Sequence, residues 1–247
     1  MLRALKAEFQ KLRRAGMPLW TALIVLVAPV VTVGMVSLAD NATVIVTWGD
    51  FMRYGPQLVA SWYGAVLFGL VAAYLFGREH GEGTEKQMFT LPLRREYFFV
   101  AKMMVLAIWV AGLLLLSVAA QAAYATLLGL PGASWASVAE CVTAELKVAV
   151  LIYATLPWVA LVAMIGKGYV APLVYSAITA ALGLGLAEAG WGRWFPWSMP
   201  LSVTGVALFP SVPMPTLVAW SWALIALVFV SGTAAAVTYV DRADNTQ

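Results

Sequence analysis

Few residues of this 247-residue sequence could take part in chemistry. Its one cysteine is Cys141 and its one histidine is His80, which excludes an intramolecular disulfide, a cysteine-based zinc site and bis-histidine haem ligation. His80 stands beside Glu79 and Glu82, an arrangement more typical of a solvated loop than of a metal site. The apolar tracts hold no Ser/His pair or Asp pair of the kind an intramembrane protease needs. We therefore expect no catalytic residue and no metal ligand in this chain.

Polar residues inside or beside the apolar tracts form a second group. Such groups are expensive in lipid and are therefore candidates for function. Gln121, with Ser117 four residues before it, could hydrogen-bond between helices. Glu145 and Lys147 stand near the start of one expected span, two residues apart and so on different helix faces, and Glu188 stands near the end of the next. We favour charges that reach the membrane interface; the alternative is a polar patch around an external exit.

Composition places these residues in a membrane protein. Hydrophobic residues make up 62% of the chain and charged residues 11%, with a mean hydropathy of +0.86, whereas soluble domains have about 45–50% and about 25%. Only helices and closed barrels satisfy their backbone in lipid, and the apolar tracts here are continuous rather than alternating. The sequence therefore predicts an all-α, polytopic helical membrane protein. Six tracts lack Asp, Glu, Lys and Arg and are long enough to cross about 30 Å of hydrocarbon: 15–39, 54–77, 103–139, 148–166, 168–187 and 194–240.

We expect six transmembrane helices in a single domain over residues 1–247. Twelve Lys and Arg residues fall on the side of the N-terminus and three on the other, a bias that places both termini in the cytoplasm. The net charge of +3 therefore reflects membrane topology rather than nucleic-acid binding. The polar stretches between spans are too short for a soluble catalytic domain. The spans are placed at about 17–38, 57–77, 99–128, 144–165, 169–188 and 216–240.

The N-terminal segment, residues 1–16, is predicted to be a basic amphipathic helix on the inner membrane surface. Its leucines and phenylalanine recur at spacings of three and four, which places them on one helix face. The alternative is a charged segment that only orients the first span.

The segment 189–215 is rich in proline and tryptophan. Tryptophan is enriched at membrane interfaces, and proline interrupts helices. We expect an external re-entrant or interfacial segment before span 6. A complete seventh span, which would move the C-terminus outside, is the alternative.

The loop between spans 2 and 3, residues 78–98, is densely charged and carries a helix pattern. Thr84 and Gln87 fit a capping box, and Pro92 would end the helix after about two turns. By itself the pattern also fits a solvated loop whose apolar residues dip into the interface.

This loop and its surroundings resemble the ABC-2 type permeases. The segment LKAEFQKLRR before span 1 resembles that family's N-terminal elbow helix, and FPWSMP, Phe195 to Pro200, resembles its external element before the last span. The chain is most similar to small single-domain permeases, which include lantibiotic-immunity and antibiotic-export subunits. The loop motifs that carry the resemblance are Gly77-Arg78-Glu79, Gly83-Thr84-Glu85-Lys86, Met88-Phe89, Leu91-Pro92, Arg94-Arg95 and Ala101-Lys102.

The resemblance implies a coupling helix that docks on a cytoplasmic ATPase, with Met88 and Phe89 as apolar anchors and Glu85 and Lys86 as rim charges. The sequence has no G-x-x-x-x-G-K-[ST] motif, so the partner ATPase would bind ATP and Mg, and this chain no cofactor. Two ATPases and two permease chains, as a homodimer or heterodimer, would assemble among membrane lipids and without nucleic acid. The ATPase-coupling residues would be Gly83, Thr84, Glu85, Lys86, Met88, Phe89, Leu91 and Pro92.

The sequence thus predicts a non-enzymatic permease subunit of an ATP-binding cassette exporter in the bacterial plasma membrane. Its substrate would be amphipathic: an antibiotic, a peptide or a lipid-like compound. The alternative is a non-transporting anchor or sensor subunit that tethers a cytoplasmic partner, since it would need the same docking loop.

Overall fold

A computed structural model describes residue 12 and residues 16–38, 47–81, 95–204 and 216–242. The described residues form helices and no strand, which confirms the all-α prediction. We number the helices α1 (Met17–Leu38), α2 (Trp48–Leu58), α3 (Gly64–Gly81), α4 (Arg95–Leu127), α5 (Trp135–Ile165), α6 (Val170–Leu186), α7 (Met199–Thr204) and α8 (Ala219–Arg242).

Four apolar segments of the described chain are long enough to cross a membrane, and a bent pair of helices raises the number to five. The four are Phe98–Leu127, Trp135–Ile165, Val170–Trp191 and Ala219–Arg242. α1 coincides with the first expected span, although its apolar stretch Met17–Val31 is shorter. The chain is thus a multi-pass membrane protein, and six spans remain a prediction.

The bent pair consists of α2 and α3, and we predicted a span at about 57–77 in this region. A π-helical turn, Val59–Tyr63, joins the two helices, and they are bent by 51°. α2 begins well before residue 57 because Thr47 caps it. The Thr47 Oγ1 accepts a hydrogen bond from the Asp50 backbone N–H at 3.2 Å, and Asp50 Oδ2 accepts one from the Thr47 N–H at 3.2 Å. This capping box fixes the helix start among charged residues.

α5 begins at Trp135, so the predicted start near residue 144 is wrong. Ser134 caps the helix, and its Oγ accepts a hydrogen bond from the Ser137 backbone N–H at 3.2 Å. Acidic Glu140 is tolerated early in α5 because its side chain is exposed and lies 3.8 Å from Arg53. With 1.5 Å of rise per residue, Glu145 therefore lies roughly 15 Å along the helix rather than at its start.

α3 and α4 meet at one end of the helix bundle, which we call the base. Near this end, the Lys102 Nζ donates a hydrogen bond to the Leu75 carbonyl at 2.8 Å, and it lies 5.4 Å from the centre of the Phe76 ring. The rings of Phe76 and Phe99 are 5.3 Å apart. These contacts hold the end of α3 beside the beginning of α4.

The turn between α5 and α6 lies at the same base. Its Lys167 has a φ of 48°, a left-handed conformation that lets the chain reverse between two helices. Gly77 of α3 packs so closely on the Gly168 carbonyl that an added Cβ would lie 3.0 Å from that oxygen. The Tyr74 and Tyr169 rings stack with centroids 6.4 Å apart.

The segment after α6 folds back into the bundle. It contains a π-helical turn (Ala187–Trp191), a 3₁₀ turn (Pro196–Ser198) and α7. Gly190 reverses the chain with a φ of 81°, and Met199 at the start of α7 is completely buried. Irregular backbone at membrane depth is tolerated where it is buried in protein. Within the described part of 189–215, no helix is long enough to span a membrane.

Candidate functional site

A cluster of polar side chains is buried between α4 and α5. Gln121 and Ser117 lie one turn apart on α4, and Glu145 reaches them from α5. The Glu145 side chain is the most deeply buried of the three, with 1% of its surface exposed. Interfacial snorkelling, which we favoured for Glu145 from the sequence, is therefore wrong for this residue. The α5 cap explains why, since the helix starts early enough to bring Glu145 into the bundle.

Two hydrogen bonds hold one carboxyl oxygen of Glu145. The Gln121 Nε2 donates to Glu145 Oε1 at 2.6 Å, and the Ser117 Oγ donates to the same oxygen at 3.0 Å. The Gln121 Nε2 also lies 3.1 Å from the Ser117 Oγ. Gln121 in turn accepts a weak contact from the Cys141 thiol, whose sulfur is 3.8 Å from Oε1. The cluster therefore fixes the register of α4 against α5.

The other carboxyl oxygen, Glu145 Oε2, is buried and has no hydrogen-bond partner among the described residues. No Lys, Arg or His side chain of the described residues forms an ion pair with Glu145. A buried carboxyl oxygen that has no donor and no cationic partner is strongly unfavourable, because its desolvation is not compensated. In a membrane protein such a group indicates function.

Tyr63 connects this cluster to a groove on the outside of the bundle. Its hydroxyl lies 3.3 Å from the Ser117 Oγ, and its side chain also lines the groove. The groove has a volume of about 700 Å³ and lies between α1 and the bend that joins α2 to α3. Its lining is almost entirely apolar: Trp20, Leu23, Ile24, Val27, Ala28, Val31, Leu58 and Tyr63.

Lys147 and Glu188, the other two polar residues selected from the sequence, lie apart from the cluster. Lys147 is exposed on α5, on a different face from Glu145. Glu188 is half-buried in the π-helical turn that follows α6. Of the four polar residues selected from the sequence, the structure brings together Gln121 and Glu145.

The expected ATPase-coupling residues, Gly83 to Pro92, lie outside the described residues. What the structure describes is the base from which that segment leaves and to which it returns. α3 ends at Gly81 and α4 begins at Arg95. The expected elbow helix, residues 1–16, also lies outside the described residues except at Leu12 and Gly16.

Sequence reasoning missed Tyr63 and did not place Cys141 beside the other polar residues. Cys141 is buried, because it lies one turn before Glu145 on the same face of α5. Recognising Ser134 as a helix cap would have predicted an earlier start of α5 and so the position of both Cys141 and Glu145 within it. Tyr63 carries no such signal, since its position depends on the π-helical turn.

These features define the class of protein: a polytopic helical membrane protein with a polar cluster buried in its bundle. A family model described as ABC-2 family transporter protein matches residues 4–183, and the chain therefore belongs to the ABC-2 transporter family. It is a permease subunit of an ABC transporter.

One curated relative is the bacitracin transport permease protein BCRB of Bacillus licheniformis. It is 25% identical to this chain over 198 residues, which cover 80% of this chain and 91% of the relative. No solved structure matches the chain.

Proposed function

We propose that this permease works with a separate cytoplasmic ATPase and exports an amphipathic compound across the plasma membrane. The observation that carries the proposal is the ABC-2 family match over residues 4–183. Two ATPases and two permease chains would form the working unit. ATP binding would close the ATPase pair and shift the permease between states that contact the ATPases differently.

The base of the bundle supports coupling through the segment Gly83 to Pro92. A segment that transmits force needs a firm attachment, and Lys102 and Phe99 tie the two helices that flank it. Met88 and Phe89 would enter a groove of the ATPase, since buried apolar anchors dominate interface energies. Glu85 and Lys86 would lie at the rim of that contact.

Charge supports a cytoplasmic base. Three cationic side chains, Arg78, Lys102 and Lys167, belong to helix ends and turns at the base. Short cytoplasmic loops of membrane proteins carry an excess of Lys and Arg. Both termini would then be cytoplasmic, and the segment 189–204 would lie toward the external side.

The apolar groove and the buried carboxyl group support an amphipathic substrate. Ligand sites are concave and mostly apolar, with a few placed polar groups. The relative from Bacillus licheniformis is named for bacitracin, and we propose a peptide antibiotic or a lipid-like compound as the cargo of this chain.

Co-purification tests the partnership. The chain is co-expressed with its candidate ATPase, and Phe89→Asp, which places a charge in the expected apolar contact, should abolish recovery of the complex. Leu128→Asp is the matched control, because Leu128 is an exposed apolar residue in the turn after α4, away from the base. Recovery of an intact complex from Phe89→Asp would contradict the proposed docking segment.

A further inference from the structure

Tyr63 and Ser117 link the buried carboxyl group of Glu145 to the apolar groove. Tyr63 lines the groove with its ring and places its hydroxyl 3.3 Å from the Ser117 Oγ. Ser117 in turn donates to Glu145 Oε1 at 3.0 Å. Two side chains, Tyr63 and Ser117, therefore connect the Glu145 carboxyl group to a cavity of about 700 Å³, a size typical of small-molecule sites.

The position of Tyr63 depends on the most irregular part of the helical bundle. Tyr63 is the last residue of the π-helical turn at the 51° bend between α2 and α3. π-helical turns occur frequently at functional sites. A change in this bend would move the Tyr63 ring relative to Ser117 and open a path from the groove to Glu145.

The carboxyl group of Glu145 determines which kind of ligand group would bind at the end of such a path. Glu145 Oε1 already accepts two hydrogen bonds, whereas Oε2 accepts none from the described residues. A donor that carries positive charge satisfies such an oxygen best, because charge-assisted hydrogen bonds are the strong ones. An inorganic divalent cation is less suited, since the described residues contain no group of three or more His, Cys, Asp or Glu side chains that could hold one.

We propose that Glu145 and the groove together form a binding site for an amphipathic amine. The apolar part of the ligand would lie in the groove along Val27 and Val31, and its ammonium group would pass Tyr63 to bind Glu145 Oε2. This site deepens the proposed function, on which it rests, by assigning a chemical class to the exported compound.

Binding of two fluorescent probes to the full-length chain in lipid nanodiscs tests the site. One probe carries a dodecyl chain and a primary ammonium group, and the other carries the same chain and a neutral hydroxyl group. Glu145→Gln keeps the shape of the side chain and should weaken binding of the ammonium probe about tenfold or more, with little effect on the hydroxyl probe. Glu140→Gln is the matched control, because Glu140 is an exposed carboxylate on the same helix.

Val27→Trp tests the groove and should weaken binding of both probes. Val174→Trp, at an exposed position on α6, is the control and should leave binding unchanged. Equal affinity of the wild type and Glu145→Gln for the ammonium probe would overturn the assignment of Glu145. Unchanged binding of both probes to Val27→Trp would overturn the assignment of the groove to the binding site. The groove would then be a surface that contacts membrane lipid. Loss of ATP-driven export with binding intact would count against the proposed function and not against the site.

Discussion

The amide nitrogen of Gln121 lies 2.6 Å from the carboxyl oxygen Oε1 of Glu145, and this bond joins α4 to α5 inside the membrane-spanning bundle. Both side chains are almost fully buried. A hydrogen bond between such groups contributes modestly by itself, but loss of one partner leaves the other unsatisfied at a cost of about 1–3 kcal/mol.

Glu145→Ala should therefore destabilise the protein by about 2 kcal/mol, because the Gln121 amide and the Ser117 hydroxyl would lose their acceptor. Glu145→Gln should be no less stable than the wild type, since it keeps an acceptor and removes a buried ionisable group. Thermal unfolding in detergent measures both. Glu140→Ala removes an exposed pair with Arg53 and should change stability by about 0.5 kcal/mol or less. Equal losses for Glu140→Ala and Glu145→Ala would contradict the burial of the cluster.

Gly64 should resist substitution because the π-helical turn leaves no room for a side chain. An added Cβ at Gly64 would collide with the Val59 carbonyl oxygen, a backbone atom that cannot turn aside. Gly64→Ala should lower the free energy of unfolding by about 2 kcal/mol. Gly112→Ala is the control, since nothing lies within 4 Å of its Cβ position, and it should stabilise α4 by up to about 1 kcal/mol. If both alanine variants unfold at the same temperature, the π-helical turn does not have the described geometry.

A substitution of Lys102 should affect the coupling between permease and ATPase more than the assembly of the complex. Its Nζ donates to the Leu75 carbonyl at 2.8 Å and so ties α3 to α4 at the base. Lys102→Met should leave the ATPase bound but reduce the response of its hydrolysis rate to transported compound by about tenfold or more. Lys147→Met, at an exposed cation on α5, should leave that response unchanged. A full response from Lys102→Met would contradict the role given to this contact.

Labelling of single cysteines in a Cys141→Ser background tests the proposed orientation, in which the base faces the cytoplasm. Arg53→Cys should react with a membrane-impermeant maleimide on intact cells, because Arg53 is exposed at the end opposite the base. Lys167→Cys, exposed in the turn at the base, should react only after the membrane is opened. The reverse pattern would place the base outside and would contradict a cytoplasmic docking segment.

The sequence predicted α1, α4, α6 and α8 to within a few residues. For α1 and α6 the reason is that each helix nearly fills an uncharged tract. The sequence misplaced the starts of α2 and α5, since the capping residues Thr47 and Ser134 decide those two boundaries. The hydropathy of a segment indicates whether it can lie in the membrane, but it does not indicate where a capping side chain starts a helix.

The buried site was only half visible in the sequence. Gln121 was expected to hydrogen-bond between helices, but its partner could not be named, because nothing in the sequence sets the register of α4 against α5. Tyr63 was missed because no pattern in the sequence predicted the π-helical turn at Val59–Tyr63. The family resemblance and the expected docking segment were drawn from ordered motifs in and beside the loop 78–98.

This permease should turn ATP hydrolysis by its partner into movement of an amphipathic compound. Inside-out vesicles that contain the permease and its ATPase test this most directly. They should accumulate a fluorescent amphipathic amine when ATP is added, and vesicles with Phe89→Asp should not. Wild-type vesicles that bind the ATPase and hydrolyse ATP, yet accumulate neither the amine nor a peptide antibiotic, would contradict the account and favour an anchor or sensor subunit.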